Sequence, residues 1–310
     1  MGKDMVIEVL GHKSPDTDSA GSAIIWAWFL NEVQGGTAEA VLLGKPGSEA
    51  AFVLERWDVP TPRIIESIDP GQPVIIVDTN NPAELPDGIG EADIRAVIDH
   101  HRLAGGLATK GPIDVTIRPL ACTATVMHEL MGPDASRMPE WVKGIMLSCI
   151  LSDTLEFRSP TTTERDRSLA ERLASELGLD PSAYAAEMFA AKSDVSRLSD
   201  KELVRMDSKE HEVRGTRLRV SVIETTVPAP VIERRVGLMA AMERVAEEDD
   251  LDQVLLFIVD ILEREAILLV PNDLVKGIAS SSFGVEATGD TVVLPGVMSR
   301  KKQIIPSLRI

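Results

Sequence analysis

Cysteine is nearly absent from this chain: Cys122 and Cys149 are the only two in 310 residues, and they show no CxxC spacing. A disulfide framework and a thiolate-built structural zinc site are thereby excluded, and both side chains read as reduced core thiols of a cytoplasmic protein. A basic surplus is missing too, since 32 Lys and Arg face 49 Asp and Glu for a formal net charge of -17. Such a field opposes nonspecific binding to nucleic acid and to anionic membrane, and neither is expected as a partner. The opening stretch MGKDMVIEVLGH has charges inside any would-be apolar run, so neither a signal peptide nor a membrane span is expected there. There is no internal repeat and no low-complexity segment. Aromatic residues are scarce at 4%, yet a hydrophobic content of 44% suffices for one large or two modest domains with proper cores.

What is present is a recurring event: Asp or His placed where a strand or helix gives way to loop. It occurs at Gly11 to Ser19 (GHKSPDTDS), at Asp78 (VIIVDTNN), at Asp99 to Arg102 (DHHR) and at Asp153 (ILSDTLEF). Met5 to Leu10 reads as a buried strand, after which a loop offers His12, Asp16 and Asp18 before an apolar helix opens near Ser19. Loops at the carboxyl ends of parallel strands converge on one crevice, which is where open α/β sheets bind ligands. In an extended loop Asp16 and Asp18 point to different sides, so one loop can feed two neighbouring cations. Taken alone, PDTDS would be a solvated turn with Ser19 or Asp18 capping the helix.

Pro73 to Val77 and Ile94 to Ile98 are further β-rich runs, ending in Asp78 and in Asp99, His100 and His101. Adjacent histidines after a buried strand each need hydrogen-bond partners or a metal once removed from water. Asp153 closes the apolar helix read over Trp141 to Ser152, where a carboxylate gains nothing from the macrodipole and a cation would remove the penalty. Asp and His without thiolate suit Mn²⁺, Mg²⁺ or Co²⁺, and the four segments together supply ligands for a two-metal phosphoryl-transfer site.

GHKSPDTDS, VDTNN, IDHHR with ACTAT, SDTLEFRSPT, DSKE and SRKKQ resemble, in order and spacing over nearly the whole chain, the manganese-dependent family II inorganic pyrophosphatases of the DHH phosphoesterase superfamily. The resemblance implies that His12 and Asp16 hold one metal, Asp18 and His100 the other, and that Asp78 and Asp153 bridge or serve both. It makes His101 a substrate contact and proton donor, Asp99 the group that orients a histidine, and Lys209, Arg300 and Lys301 a phosphate clamp. It further implies two Mn²⁺ per site, Co²⁺ or Mg²⁺ as substitutes, additional Mg²⁺ with substrate, and a homodimer through the N-terminal domain. The reaction implied is hydrolysis of pyrophosphate to two phosphates by a metal-activated water. The alternatives are another DHH phosphoesterase, either an exopolyphosphatase or an oligonucleotide phosphodiesterase, and a non-catalytic metal-dependent phosphate sensor. Thr79 and Asn81 stand where the family pattern VDHNE has His and Glu, and Ser14 stands where Asn is usual. The metal-binding aspartates are retained, so these departures bear on tuning around the ligands.

The fold expected is α/β: a DHH domain over residues 1–191 with a largely parallel sheet flanked by helices, a hinge at 192–198, and a smaller DHHA2-type domain over 199–310 with a mixed sheet. Thr163 with Asp166 should open a helix closed by Gly178, and Pro181 the next. Ser199 with Glu202 should cap a short helix carrying Lys209 near its end. Strands are expected at Arg217 to Glu224, Val254 to Val259, Ala266 to Val270 and Thr291 to Leu294, and helices at Val231 to Glu248 and Asp273 to Ser282. Every metal ligand precedes the hinge and every clamp residue follows it, so catalysis should require domain closure.

Overall fold

The computed structural model describes residues 5–196 and 198–310, and the chain divides into two compact units, residues 1–191 and 192–310. The first four residues of the N-terminal segment, and Arg197 within the stretch read as a hinge, lie outside the described residues.

Unit 1 is built on six parallel strands: β1 (Ile7–Lys13), β2 (Ala38–Leu43), β3 (Arg63–Ile64), β4 (Pro73–Val77), β5 (Asp93–Asp99) and β6 (Asp114–Ile117). Their order across the sheet is β3-β2-β1-β4-β5-β6, so the chain's progression reverses between β1 and β4. That reversal opens a crevice at the strand carboxyl ends, because the connections leaving β1 and β4 run in opposite directions.

One face is covered by α1 (Thr17–Trp28), α2 (Ser48–Arg56), α3 (Thr123–Met131), α4 (Glu140–Asp153) and α5 (Glu164–Leu177), with α6 (Pro181–Lys192) after them. The opposite face buries Leu10, Val41, Val74 and Ile76 against Ile68, Leu85 and Ala92 of the connecting segments. Helices α1 and α4 pack at Gly21, where an added Cβ would lie 2.3 Å from Cys149 Sγ and 2.9 Å from Ile145 Cγ2. Gly21→Ala is therefore expected to cost about 1–3 kcal/mol by overpacking, read as a lowered midpoint in thermal or urea unfolding. An unchanged midpoint would mean that the two helices are not held at this distance.

Unit 2 carries the mixed sheet. Its strands are β7 (Ser208–Val213), β8 (Thr216–Thr225), β9 (Gln253–Asp260), β10 (Glu265–Leu269) and β11 (Thr291–Pro295), ordered β11-β10-β9-β8-β7, with only β8 and β9 parallel. On one face α7 (Asp200–Met206), α8 (Ala229–Glu233) and α9 (Arg235–Glu248) bury Leu203, Leu238 and Met242 against Ile223, Leu256 and Ile258. On the other, α10 (Asp273–Phe283) and the C-terminal turn bring Val275, Ile278 and Ile304 onto Val220, Leu255 and Phe257.

Four local expectations need correction. Strand β1 begins at Ile7 and runs through to Lys13, with a register shift between Leu10 and Lys13, so His12 stands on a bulged strand end rather than in the loop. Helix α1 opens at Thr17 with Asp16 as its cap, two residues ahead of the expected start, because the Asp16 carboxylate accepts the Ser19 amide at 3.0 Å. Helix α7 stops at Met206, and Lys209 lies on β7, a strand that the charged sequence SKEHEV concealed. The helix read over Val231 to Glu248 starts at Ala229 and breaks at Arg234, whose guanidinium binds Asp200 and the Val195 and Leu198 carbonyls.

Candidate metal centre

All four acidic segments of unit 1 end at the crevice between β1 and β4. Gly11 lets β1 pass close to α1: a Cβ there would sit 2.0 Å from the Ser19 hydroxyl, which accepts the His12 amide at 3.0 Å. His12, so placed, commits Nδ1 to the Lys13 carbonyl at 2.8 Å and turns Nε2 inward, 3.6 Å from Asp16 Oδ2 and 3.5 Å from Asp78 Oδ2. His100 repeats the arrangement, with Nδ1 on the Leu120 carbonyl at 3.1 Å and Nε2 lying 3.5 Å from Asp78 Oδ1 and 3.9 Å from Asp153 Oδ2. A ring nitrogen anchored to a carbonyl fixes the tautomer that leaves the other nitrogen free to bind a metal.

Asp78 lies between the two imidazoles, one oxygen toward each. It is 2% exposed and adopts φ 59°, the left-handed region that non-glycine residues occupy at some cost. Its amide bonds the Ile98 carbonyl at 3.0 Å, and Oδ1 accepts the Thr123 hydroxyl at 2.9 Å. Asp18 is 1% exposed in the first turn of α1, where Oδ2 accepts the Thr123 amide at 2.7 Å and Oδ1 accepts Ser22 Oγ at 2.9 Å. It thus sits at the positive ends of α1 and α3 together. Asp153 ends α4 just before Leu155, Glu156 and Phe157, three successive residues with φ between 48° and 67°. Its Oδ2 is buried and makes no hydrogen bond among the described residues.

These side chains fall into groups whose ligand atoms lie within 4.8 Å of one another: His12, Asp16 and Asp78 in one, Asp18, His100 and Asp153 in another. Two atoms bound to one ion at about 2.1–2.2 Å, at octahedral to tetrahedral angles, stand about 3.0–3.6 Å apart. The separations around Asp78 match that spacing and are too long for good hydrogen bonds. Together with the orphaned Asp153 oxygen and an all-oxygen-and-imidazole donor set, they fit a pair of hard-to-borderline divalent cations. Asp16 serves as helix cap and candidate ligand at once, using a different oxygen for each.

A further group joins Asp78 and His100 to His101, but His101 Nδ1 is taken by Asp99 at 2.9 Å. That leaves Nε2 of a half-exposed ring without a hydrogen bond among the described residues. Asp99 is wholly buried and fully used: Oδ1 also accepts the amides of His100 and His101, and Oδ2 accepts Asn80 Nδ2 at 2.6 Å. Asn80 and Thr123 lie inside the VDTNN and ACTAT motifs, but neither they nor Ser22 carry a local signal of these bonds. Thr79 is buried with its hydroxyl on Glu84 Oε2 at 2.6 Å, and Asn81 caps the turn Pro82–Glu84.

The charges are strongly biased without a cation. Burial opposes protonation of His12, but Asp16 and Asp78 outweigh it and lift its pKa to about 11; burial opposes protonation of His100 too, and Asp78 and Asp18 lift it to about 9. Burial, then the charge of Asp78, pushes Asp18 up to about 6, and burial with Asp18 and Asp78 pushes Asp153 well above the usual carboxylate range. Against its own burial, Asp78 is held far below that range by His100 and His12. Raised pKa values mean that a cation must displace protons at neutral pH, so its affinity should strengthen as pH rises. We expect about tenfold per pH unit for each proton displaced, up to about 9 for the group that holds His100 and up to about 11 for the group that holds His12. Calorimetry in buffers of different ionisation enthalpy reads the protons released, and pH-independent binding would contradict the ligand assignment.

The clamp residues belong to unit 2. Arg300 opens a short π turn, Arg300–Ile304, capped by Ser299. Its Nη1 donates to Asp207 Oδ1 at 2.7 Å and to the Asp207 carbonyl at 2.8 Å. Lys209 and Lys301 are exposed and pair with no carboxylate among the described residues. Burial, with the charges of Arg300 and Lys209, holds the pKa of His211 on β7 below its ordinary value.

Residues 6–152 match the DHH family, N-terminal domain, and residues 186–309 match the DHHA2 domain. A probable manganese-dependent inorganic pyrophosphatase of Deinococcus radiodurans is 40% identical over 98% of both chains, and one of Lactobacillus acidophilus is 35% identical over 97% of this chain and 96% of its own. Among solved structures, a putative family II inorganic pyrophosphatase of Methanococcus jannaschii superposes with a TM-score of 0.64 at 33% identity, covering 97% of this chain and 98% of that one.

Proposed function

This chain belongs to the manganese-dependent, family II inorganic pyrophosphatases, and from that premise we propose that its metal centre hydrolyses inorganic pyrophosphate to two phosphates. The observation that carries the reading is Asp78, one carboxylate shared between two imidazoles whose other nitrogens are already anchored. We assign two Mn²⁺ ions, one to His12 and Asp16 and one to Asp18 and His100, with Asp78 between them and Asp153 completing the second group. The same donors accept Mg²⁺ or Co²⁺. Divalent cations held there supply Lewis-acid polarisation of a phosphoryl oxygen and lower the pKa of a water.

The protein's own groups do the rest. Asp99, by hydrogen-bonding His101 Nδ1, favours the imidazolium and holds its pKa above the ordinary value, so Nε2 can donate a proton to the departing phosphate. Lys209, Arg300 and Lys301 neutralise the charge that develops on that phosphate, in a chain whose net charge of -17 otherwise repels it. The metal-binding work is assigned to residues 1–191 and the clamp to 199–310.

The working form is proposed to be a homodimer through unit 1. Strand β6 is a sheet edge with Val115 54% exposed, beside a groove lined by Trp26, Phe29 and Leu130, and sedimentation would test it. A cytoplasmic location rests on the two buried, unpaired cysteines. No helix among the described residues is long and apolar enough to cross a membrane.

Phosphate release with Mn²⁺ should be compared for pyrophosphate, a long polyphosphate and a dinucleotide. Pyrophosphate should be cleaved fastest by orders of magnitude, and a preference for either other substrate would move the chain to a different activity of the superfamily.

A further inference from the structure

We infer that Asp166 is a positioning residue for the metal centre: by accepting the Ala121 amide it fixes residues 118–123, the segment that orients the ligands. This rests on the metal-centre reading above. The segment touches the site at four points. The Arg118 amide donates to the Asp99 carbonyl at 3.2 Å, and the Leu120 carbonyl receives His100 Nδ1 at 3.1 Å. The Thr123 amide binds Asp18 at 2.7 Å, and the Thr123 hydroxyl binds Asp78 at 2.9 Å. A displacement of this one loop therefore moves a ligand in each of the two groups at once.

From the other side the segment is held by Asp166 Oδ2, which accepts the Ala121 amide at 3.1 Å. Asp166 is the third residue of α5 and forms a capping box with Thr163, taking its amide at 3.0 Å and its hydroxyl at 2.6 Å on the same oxygen. Capping alone does not explain where this carboxylate lies. The box that Ser199 and Glu202 form on α7 has the same two bonds, at 2.8 and 2.6 Å, yet Glu202 is exposed and among the described residues bonds to no other segment. Asp166 is 0% exposed, its second oxygen is buried without a hydrogen bond among the described residues, and so is the neighbouring Thr162 hydroxyl. Burying a carboxylate is costly unless hydrogen bonds compensate, and one of the bonds that compensate here fixes the backbone beside Leu120.

The test separates the cap from the link. Thr163→Ala and Asp166→Ala both break the capping box and should lower the melting temperature, but only Asp166→Ala frees the Ala121 amide. Mn²⁺ binding to the metal-stripped full chain is read by calorimetry, with the EPR spectrum of the bound ion as a second signature. Asp166→Ala should lose about 10–100-fold in affinity, the range for groups that orient ligands, with an altered spectrum. Thr163→Ala should bind as wild type, and Asp166→Asn, which keeps an acceptor oxygen toward Ala121, should recover most of the loss. If Asp166→Ala does not fold, Asp166→Ser, too short to reach Ala121, takes its place in the comparison. Wild-type affinity in the Ala or Ser variant, or an equal loss in Thr163→Ala, would overturn the inference alone. A wild-type chain that takes up no Mn²⁺ would overturn the metal-centre reading and this inference with it.

Discussion

Asp78→Asn should lose hydrolysis by about 10³-fold or more and bind fewer metal ions, while remaining folded. The substitution keeps the shape of the side chain, and Asn tolerates the left-handed backbone at φ 59° as well as Asp does. The amide can still accept the Thr123 hydroxyl that Oδ1 now accepts. What disappears is the charge that faces His12 from one oxygen and His100 from the other, each at 3.5 Å. One of the two positions becomes an NH₂ group pointing at the place where a cation is assigned. Removing a shared ligand acts on both groups, so its effect should exceed the about 10–100-fold typical of changes around a metal's outer partners. Metal content after dialysis, the melting temperature and phosphate release would be measured together. A folded variant with two ions and wild-type turnover would end the shared-ligand assignment.

The parts legible in the sequence are those in which a local pattern and a tertiary demand coincide. Pro73–Val77 reads as a buried strand because all five of its residues are buried in the structure, and the Thr163 and Ser199 capping boxes follow from side chains three residues apart. The order of Asp and His along the chain was enough to pick out side chains that the structure brings together, since parallel strands deliver their carboxyl ends to one crevice. What escaped depends on partners distant in sequence. Thr123 matters because α3 opens onto Asp18, 105 residues earlier, and Asn80 matters because its amide meets Asp99 across the neighbouring strand. Strand β7 was hidden because Ser208–Val213 is an edge strand with exposed charges, paired among the described residues with β8 alone. Ser14 occupies a left-handed position, φ 59°, where the family's usual Asn is at ease. That departure therefore concerns backbone cost. Thr79 and Asn81 are engaged with Glu84 and with a turn, and neither makes a hydrogen bond to a ligand side chain among the described residues.

Arg300→Ala should leave the metal ions in place and still remove most of the activity. Arg300 lies at the start of a turn in unit 2, and its Nη1 is held by the carboxylate and the carbonyl of Asp207 at 2.7 and 2.8 Å. Its Nη2 and Nε have no hydrogen-bond partner among the described residues, so a planar fork is held in one orientation with donors to spare. Such a group binds a phosphate through charge-assisted bonds that strengthen as negative charge builds on the leaving oxygens. If that is its action, kcat and kcat/KM should fall together, on the order of 10²-fold or more, as the loss of a single donor of developing charge does elsewhere. A rise in KM alone would mean that the contact is equally strong before and during reaction. Arg300→Lys should recover little, because an ammonium keeps the charge and loses the fork. The measurements are steady-state kinetics on pyrophosphate and metal content of the same preparation. Near-normal kcat and KM in a folded, metal-loaded Arg300→Ala chain would show that the Arg300–Ile304 turn does not hold substrate, and the choice of substrate would then have to be argued from the metal centre alone.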